Sequence, residues 1–134
     1  MKWLVKEEPA NYPFSQFVKD GSTVWSGVRN PVAQKHLRAM TPGDQVFYYH
    51  TGKEKAVAGV AKVAGPPRPD PADTAGKLYA VDLVPVGALK QPVTLAEVKA
   101  VKGFADFPLV RLPRLSVMPV SDEQWTWIER KGGL

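Results

Sequence analysis

The sequence predicts an α+β domain with short helices inserted between the strands of a small, mostly antiparallel, curled sheet, a compact barrel. Three observations predict it. Thirteen prolines among 134 residues cut the chain into short elements. Apolar spacing switches repeatedly between strand and helix periods, in the order β, α, α, β, β, β, α, β, α, which is not the regular alternation of a doubly wound parallel sheet. Apolar residues make up 44% of the chain, enough for one core, so residues 1–134 are expected to form a single domain.

Lys2 to Lys6 alternates as a first strand. Tyr12 to Asp20 reads as a short helix stopped by Gly21, with Phe14, Phe17 and Val18 facing inward. Asn30 is a good N-cap and Pro31 a favoured first helical residue. Ala33, Leu37 and Met40 continue as an apolar stripe, so a second helix is expected over Pro31 to Met40, ending at the Thr-Pro-Gly-Asp turn. His36 falls on its exposed side and is read as a solvated residue. Gln45 to His50 and Ala56 to Ala64 are strands expected to pair as a hairpin, with Gly59 marking a close approach by another group. Gly65 to Lys77 contains Pro66, Pro67, Pro69 and Pro71 and is expected to be a surface loop. Leu78 to Val86 reads as a strand, and Thr94 with Glu97 forms a capping box for a short helix to about Val101. Leu109 to Val120 is expected to be extended chain broken by prolines. Ser121 with Gln124 opens a last helix that Gly132 and Gly133 end, with Trp125 and Ile128 on one face.

The composition excludes several classes. Without cysteine there is no disulfide, thiolate metal site or cysteine nucleophile. No apolar run approaches the length of a membrane span, and the N-terminal segment does not read as an export signal. The expected setting is cytoplasmic, or nuclear in a eukaryote. Phosphate-loop, dinucleotide, nucleophile-elbow and zincin patterns are absent, and the two histidines have no metal-site spacing, so neither cofactor nor metal is expected. The net charge of +5 makes nucleic acid the natural polyanion to consider, although the same charge also serves solubility.

Two side-chain sets carry chemistry. Trp25, Arg29, Tyr48, Tyr49, His50, Arg111 and Arg114 combine aromatic faces with cations, the mixture that recognises bases outside a duplex. Their alternative reading is structural, with the aromatics in the core and the arginines on the rim. His50 in particular ends an aromatic strand and reads more simply as a hydrogen-bonded structural histidine. Lys6 and Glu8 form the second set: a lysine beside a carboxylate does acid/base work where burial tunes it, and is otherwise plain surface charge.

The quoted run "WSGVRNPVAQKHLRAMTPGDQVFYYHT" is similar to the signature of EVE domains. Trp3, the Lys6, Glu8 and Pro9 pattern, Trp25 to Asn30, Leu37 to Met40, Gly43 with Asp44, Phe47 to His50, and Leu109 to Val120 extend the resemblance over nearly the whole chain. Glu7 and Thr51 stand where this family usually carries serine, and the loop from Gly65 to Lys77 is short for it. The resemblance implies a PUA-like fold, related in shape to YTH domains. It also implies a non-catalytic module that lifts a modified base, in DNA or RNA, into an aromatic pocket. By that resemblance Trp25, Val28, Asn30, Tyr48, Tyr49, His50 and Ser116 would line the pocket, with Trp25 stacking and Asn30 dividing its amide between helix and base. Gly27 would let the nucleic-acid backbone approach. Arg29, Arg111 and Arg114 would reach phosphate, Lys6 and Glu8 would add polar groups, and the chain would act as a monomer without membrane contact. The alternative is a small amidohydrolase on a modified nucleoside, as in related ASCH-type domains, with Lys6 and Glu8 joined by Thr51 or Ser116.

Overall fold

The computed structural model describes residues 1–133. Its elements are β1 (Lys2–Glu7), α1 (Phe14–Asp20), β2 (Thr23–Trp25), α2 (Pro31–Ala39), β3 (Gln45–His50), β4 (Ala56–Val63), β5 (Arg68–Pro69), β6 (Tyr79–Thr94), α3 (Leu95–Lys99), α4 (Pro108–Arg111), β7 (Val117–Pro119) and α5 (Asp122–Lys131). The sheet runs β2-β6-β4-β3-β1-β7, with β5 paired to β6. All pairings are antiparallel except β1 with β3, where Lys2 lies opposite Gln45 and Glu7 opposite His50. A parallel pair needs a long crossover, and the segment holding α1, β2 and α2 supplies it. The mixed, mostly antiparallel curled sheet with peripheral helices agrees with the expected fold class.

Two strands and a helical turn were not anticipated: β2, β5 and α4. The hairpin of β3 and β4 forms as expected, but β6 runs on to Thr94, well past Val86. Pro85, Gly87 and Pro92 look like strand terminators in sequence. The ladder with β4 absorbs them through irregularities between Val57 and Gly59 and between Val60 and Ala61, with Pro85 opposite Ala61. Such bulges bend a strand and raise its twist, so the interruptions that hide β6 in the sequence help curl the sheet. Leu109 to Val120 is also not uniformly extended, because Pro108, favoured at a first helical position, opens α4 before β7 begins at Val117. α3 stops at Lys99, its capping box intact.

Period-two alternation sorts the two faces of the sheet. On the inner face, Tyr48 meets the ring of Phe14 edge-on at 5.3 Å, that of Phe17 in a stack at 5.6 Å and that of Trp25 edge-on at 5.4 Å. On the outer face, Phe47 stacks on Trp125 of α5 with centroids 3.6 Å apart. Val18 is 48% exposed rather than inward-facing: a seven-residue helix buries only the narrow stripe of Phe14 and Phe17. His36 is half-buried beside the Trp3 ring, centroids 6.0 Å apart, and desolvation followed by the charge of Lys35 lowers its pKa, which corrects the solvated reading. Among the described residues no helix is long and apolar enough to cross a membrane.

Asp44 ties the start of β1 to the turn before β3. Its carboxylate accepts from Trp3 Nε1 at 2.9 Å, from Thr41 N and Oγ1 at 3.0 Å each, and from the Met1 amine at 3.0 Å. Burial alone would raise its pKa, but these donors outweigh it and hold the carboxyl at about 2, below its ordinary 3.8. A depressed carboxylate contributes stability that is present above pH 4 and lost as the pH falls towards 2. Asp44→Asn is therefore expected to flatten the acid limb of a stability profile between pH 4 and 2, measured by urea melts at fixed pH. The expected close approach at Gly59 is that of the Phe14 ring, which an added Cβ would overlap. Gly59→Ala should cost about 1 to 3 kcal/mol in a thermal melt, the usual penalty for overpacking a filled core.

Candidate functional site

Where β2 ends, the chain leaves the sheet at Trp25 and crosses to α2 through residues 26–30, and this crossing makes one wall of a cavity of about 380 Å³. Three side chains pin it. Gly27, at a left-handed φ of 74°, donates its N–H to Asp70 Oδ2 at 2.8 Å. Gln34 Nε2 donates to Val28 O at 2.7 Å and Tyr79 O at 3.1 Å, while its Oε1 accepts from Tyr79 N at 2.9 Å. Asn30 Oδ1 accepts from Val32 N at 2.9 Å and Ala33 N at 3.0 Å, the expected cap of α2. Gln34 and Asp70 are both buried, and neither was anticipated from sequence. The available signals were a polar residue beside the Ala33 and Leu37 stripe and an aspartate set between Pro69 and Pro71.

Glu7 at the end of β1, Tyr12 and Ser116 line the other side, and Lys6 N donates to Ser116 O at 2.9 Å where β1 meets the approach to β7. Trp25 is 6% exposed, so its ring is both cavity wall and core. Tyr12 donates its hydroxyl to Asp20 Oδ2 at 2.7 Å, and desolvation, followed by that bond, raises its pKa. Arg29 stands on the exposed lip.

Of the residues expected to converge, Trp25, Val28 and Ser116 line this cavity, and Asn30, Tyr48, Tyr49 and His50 do not. Asn30 spends its carbonyl on the helix, leaving only the amide NH₂ without a partner among the described residues. Tyr48 has no exposure and donates to the Tyr12 carbonyl; burial, then the charge of Glu7, raises its pKa. Tyr49 lies on the outer face by alternation, under the Lys6 ammonium at 5.6 Å, and burial pushes its hydroxyl up to about 12. His50 accepts from Phe14 N through Nε2 at 3.0 Å and donates through Nδ1 to Glu54 at 2.8 Å, so its role in the fold is the structural one.

Arg111 and Arg114 flank a separate apolar groove with Asn30, Val32, Leu112, Pro113 and Leu115. The groove continues from the cavity along the chain at both Arg29 to Asn30 and Ser116 to Leu115. Neither arginine, nor Arg29, is in an ion pair among the described residues. Lys6 borders the main cavity but donates its ammonium to Pro113 O at 3.0 Å, and desolvation lowers its pKa. Glu8 is outside the main cavity, with its carboxylate packed on Gly52 and 3.4 Å from the Thr51 hydroxyl. Lys6 and Thr51 border a second cavity of about 240 Å³.

A curled mixed sheet carrying a polar cavity against a buried tryptophan, with Arg29 at its lip and Arg111 and Arg114 on the adjoining groove, has the architecture of a small PUA-type domain. The chain belongs to the EVE domain family, matching it over residues 1–131. It is 30% identical over 162 aligned positions to human thymocyte nuclear protein 1, covering 94% of this chain and 71% of that one. Its fold is similar to that of Rpa0253 from Rhodopseudomonas palustris, with a TM-score of 0.93 and 43% identity, covering 98% and 92% of the two chains. It is also similar to the human THYN1 protein crystallised with 5-methylcytosine-containing DNA, with a TM-score of 0.90 and 26% identity, covering 99% and 98%. A YTH domain from Zygosaccharomyces rouxii, at a TM-score of 0.65 and 14% identity over 99% and 86%, shares the fold.

Replacing Gln34 with leucine would leave the Val28 and Tyr79 backbone groups without their partner. We expect Gln34→Leu to lose roughly 1 to 3 kcal/mol of stability by thermal melt, as unsatisfied part-buried groups do. The Val28 and Tyr79 segments should exchange their amide hydrogens faster than in the unmodified protein.

Proposed function

We propose that this chain binds nucleic acid carrying a modified base and holds that base, turned out of its stack, in the cavity between Trp25 and Ser116. The observation that carries the reading is the cavity: about 380 Å³, polar, with an aromatic ring in its wall, on a chain of net charge +5. That volume falls in the range of small-molecule sites, and an aromatic face with convergent polar groups is what an extruded base requires. The crystal of the human relative with 5-methylcytosine DNA supports the same reading. Trp25 supplies the stacking surface and Val28 and Ser116 the sides. Arg29 at the lip and Arg111 and Arg114 along the groove take phosphate, leaving the backbone outside. A single domain acting as a monomer suffices, in the cytoplasm or, in a eukaryotic cell, the nucleus, where nucleic acid is found.

The hydrolase reading has less support. Ser116 lines the main cavity and Thr51 the second one, Lys6 borders both and Glu8 lines neither, so the set is not gathered at one site. Within it, the Thr51 hydroxyl makes only a long contact of 3.4 Å to the Glu8 carboxylate.

Two variants separate selectivity from attraction. Trp25→Ala, once thermal melts show that it folds, is expected to weaken binding of an oligonucleotide containing 5-methylcytosine by roughly 1 to 3 kcal/mol in fluorescence anisotropy, the worth of one stacked base. Arg114→Ala should weaken modified and plain strands alike and reduce the slope of log K against log salt by about one. A folded Trp25→Ala protein that still discriminates fully between the two strands would remove the tryptophan from the site.

A further inference from the structure

Three polar side chains on the cavity wall can take either hydrogen-bond role, and Arg29 at the lip only donates. The hydroxyls of Thr23, Ser26 and Ser116 donate or accept as a ligand demands. The Tyr12 hydroxyl is spent on Asp20 and the Lys6 ammonium on the Pro113 carbonyl. Glu7 is different, because a carboxylate only accepts. It lies on the same face of β1 as Val5, opposite His50 in the register, and is felt electrostatically at Tyr48, which places its charge on the inner side of the sheet. Its Oε1 accepts from Glu8 N at 2.8 Å, and no donor among the described residues meets Oε2.

A negative charge inside a nucleic-acid site repels phosphate. The backbone is therefore held outside, where the arginines are, and what reaches Glu7 must be a group without negative charge that has a hydrogen to give. We infer that Glu7 makes the cavity selective for a base with an exocyclic amino donor on its pairing edge, cytosine above all, and against uracil and thymine, which present a carbonyl oxygen there. The inference rests on the base-binding reading and adds to it the residue that chooses among bases. A carboxylate accepting from the cytosine amino group is a recognised pairing, and two acceptors forced together are repelled and left unsatisfied.

The test uses the full chain and single-stranded oligonucleotides identical except at one central position, which carries 5-methylcytosine, thymine or an abasic site. The first two bases carry the same methyl group and differ at C4, where amino replaces oxo, and at N3, which accepts in cytosine and carries a hydrogen in thymine, so the amino group beside an accepting nitrogen is what the comparison isolates. The unmodified protein is expected to bind the 5-methylcytosine strand at least about tenfold more tightly than the thymine strand. Glu7→Gln, of the same shape but able to donate as well as accept, should shrink that preference to about threefold or less with an unchanged melting temperature. Glu7→Ala should shrink it too. Equal binding of both bases by the unmodified protein, or a full preference kept by Glu7→Gln, overturns the role of Glu7 while leaving the cavity reading standing. If neither base binds more tightly than the abasic strand, both readings are overturned.

Discussion

One amide side chain holds the site together. Gln34 sits on the buried face of α2 and reaches both the crossing from β2, through Val28 O, and the start of β6, through Tyr79 N and O. The backbone at residues 26–30 has no ladder partner, so what fixes its path is the side chains that bond it. Asp70 meets Gly27 N and Gln34 meets Val28 O, while Asn30 ties the end of the crossing to α2 through Val32 N and Ala33 N, and the wall beside Trp25 becomes a fixed surface. A base that must be unstacked to bind gains most from a receptor that is already ordered, since the entropy of ordering is then not subtracted from the contact energy.

The same economy governs the opposite wall. β1 lies parallel to β3 and antiparallel to β7, and that placement brings Glu7 and Ser116 to the cavity from distant parts of the chain. Asp44 fixes the start of the strand, and the aromatic cluster of Phe14, Phe17, Trp25 and Tyr48 fills the space beneath its far end. Trp25 belongs to both cluster and cavity. Its ring is held edge-on by Tyr48, so its orientation is set by the core before any ligand arrives.

The fold class, the cap at Asn30, both capping boxes and the β3 and β4 hairpin were legible because each is written in local spacing. β6 was legible only in its first half, since the prolines that terminate strands elsewhere are here absorbed by bulges in the ladder with β4. The site was harder to read. Trp25, Val28 and Ser116 line the cavity as expected from the resemblance, but Tyr48, Tyr49 and His50 share one strand, and a period of two sends adjacent tyrosines to opposite faces. His50 on the inner face lies under α1, where the Phe14 amide claims its free nitrogen. Gln34 and Asp70 escape any pattern search: their importance depends on which backbone groups lack partners, and only the three-dimensional path of the chain shows that.

The account requires a base to meet Trp25 and not another of the four tryptophans. Trp3 is bonded to Asp44, Trp125 is stacked under Phe47 on the far face of the sheet, and Trp127, on the same helix as Trp125, meets the Phe104 ring edge-on. The direct measurement follows the indole N–H signals by NMR while an oligonucleotide containing 5-methylcytosine is added. A large shift of the Trp25 indole, with those of Trp3 and Trp125 nearly still, is the predicted result. A still Trp25 signal under saturating ligand, or a dominant shift at Trp125, would contradict it.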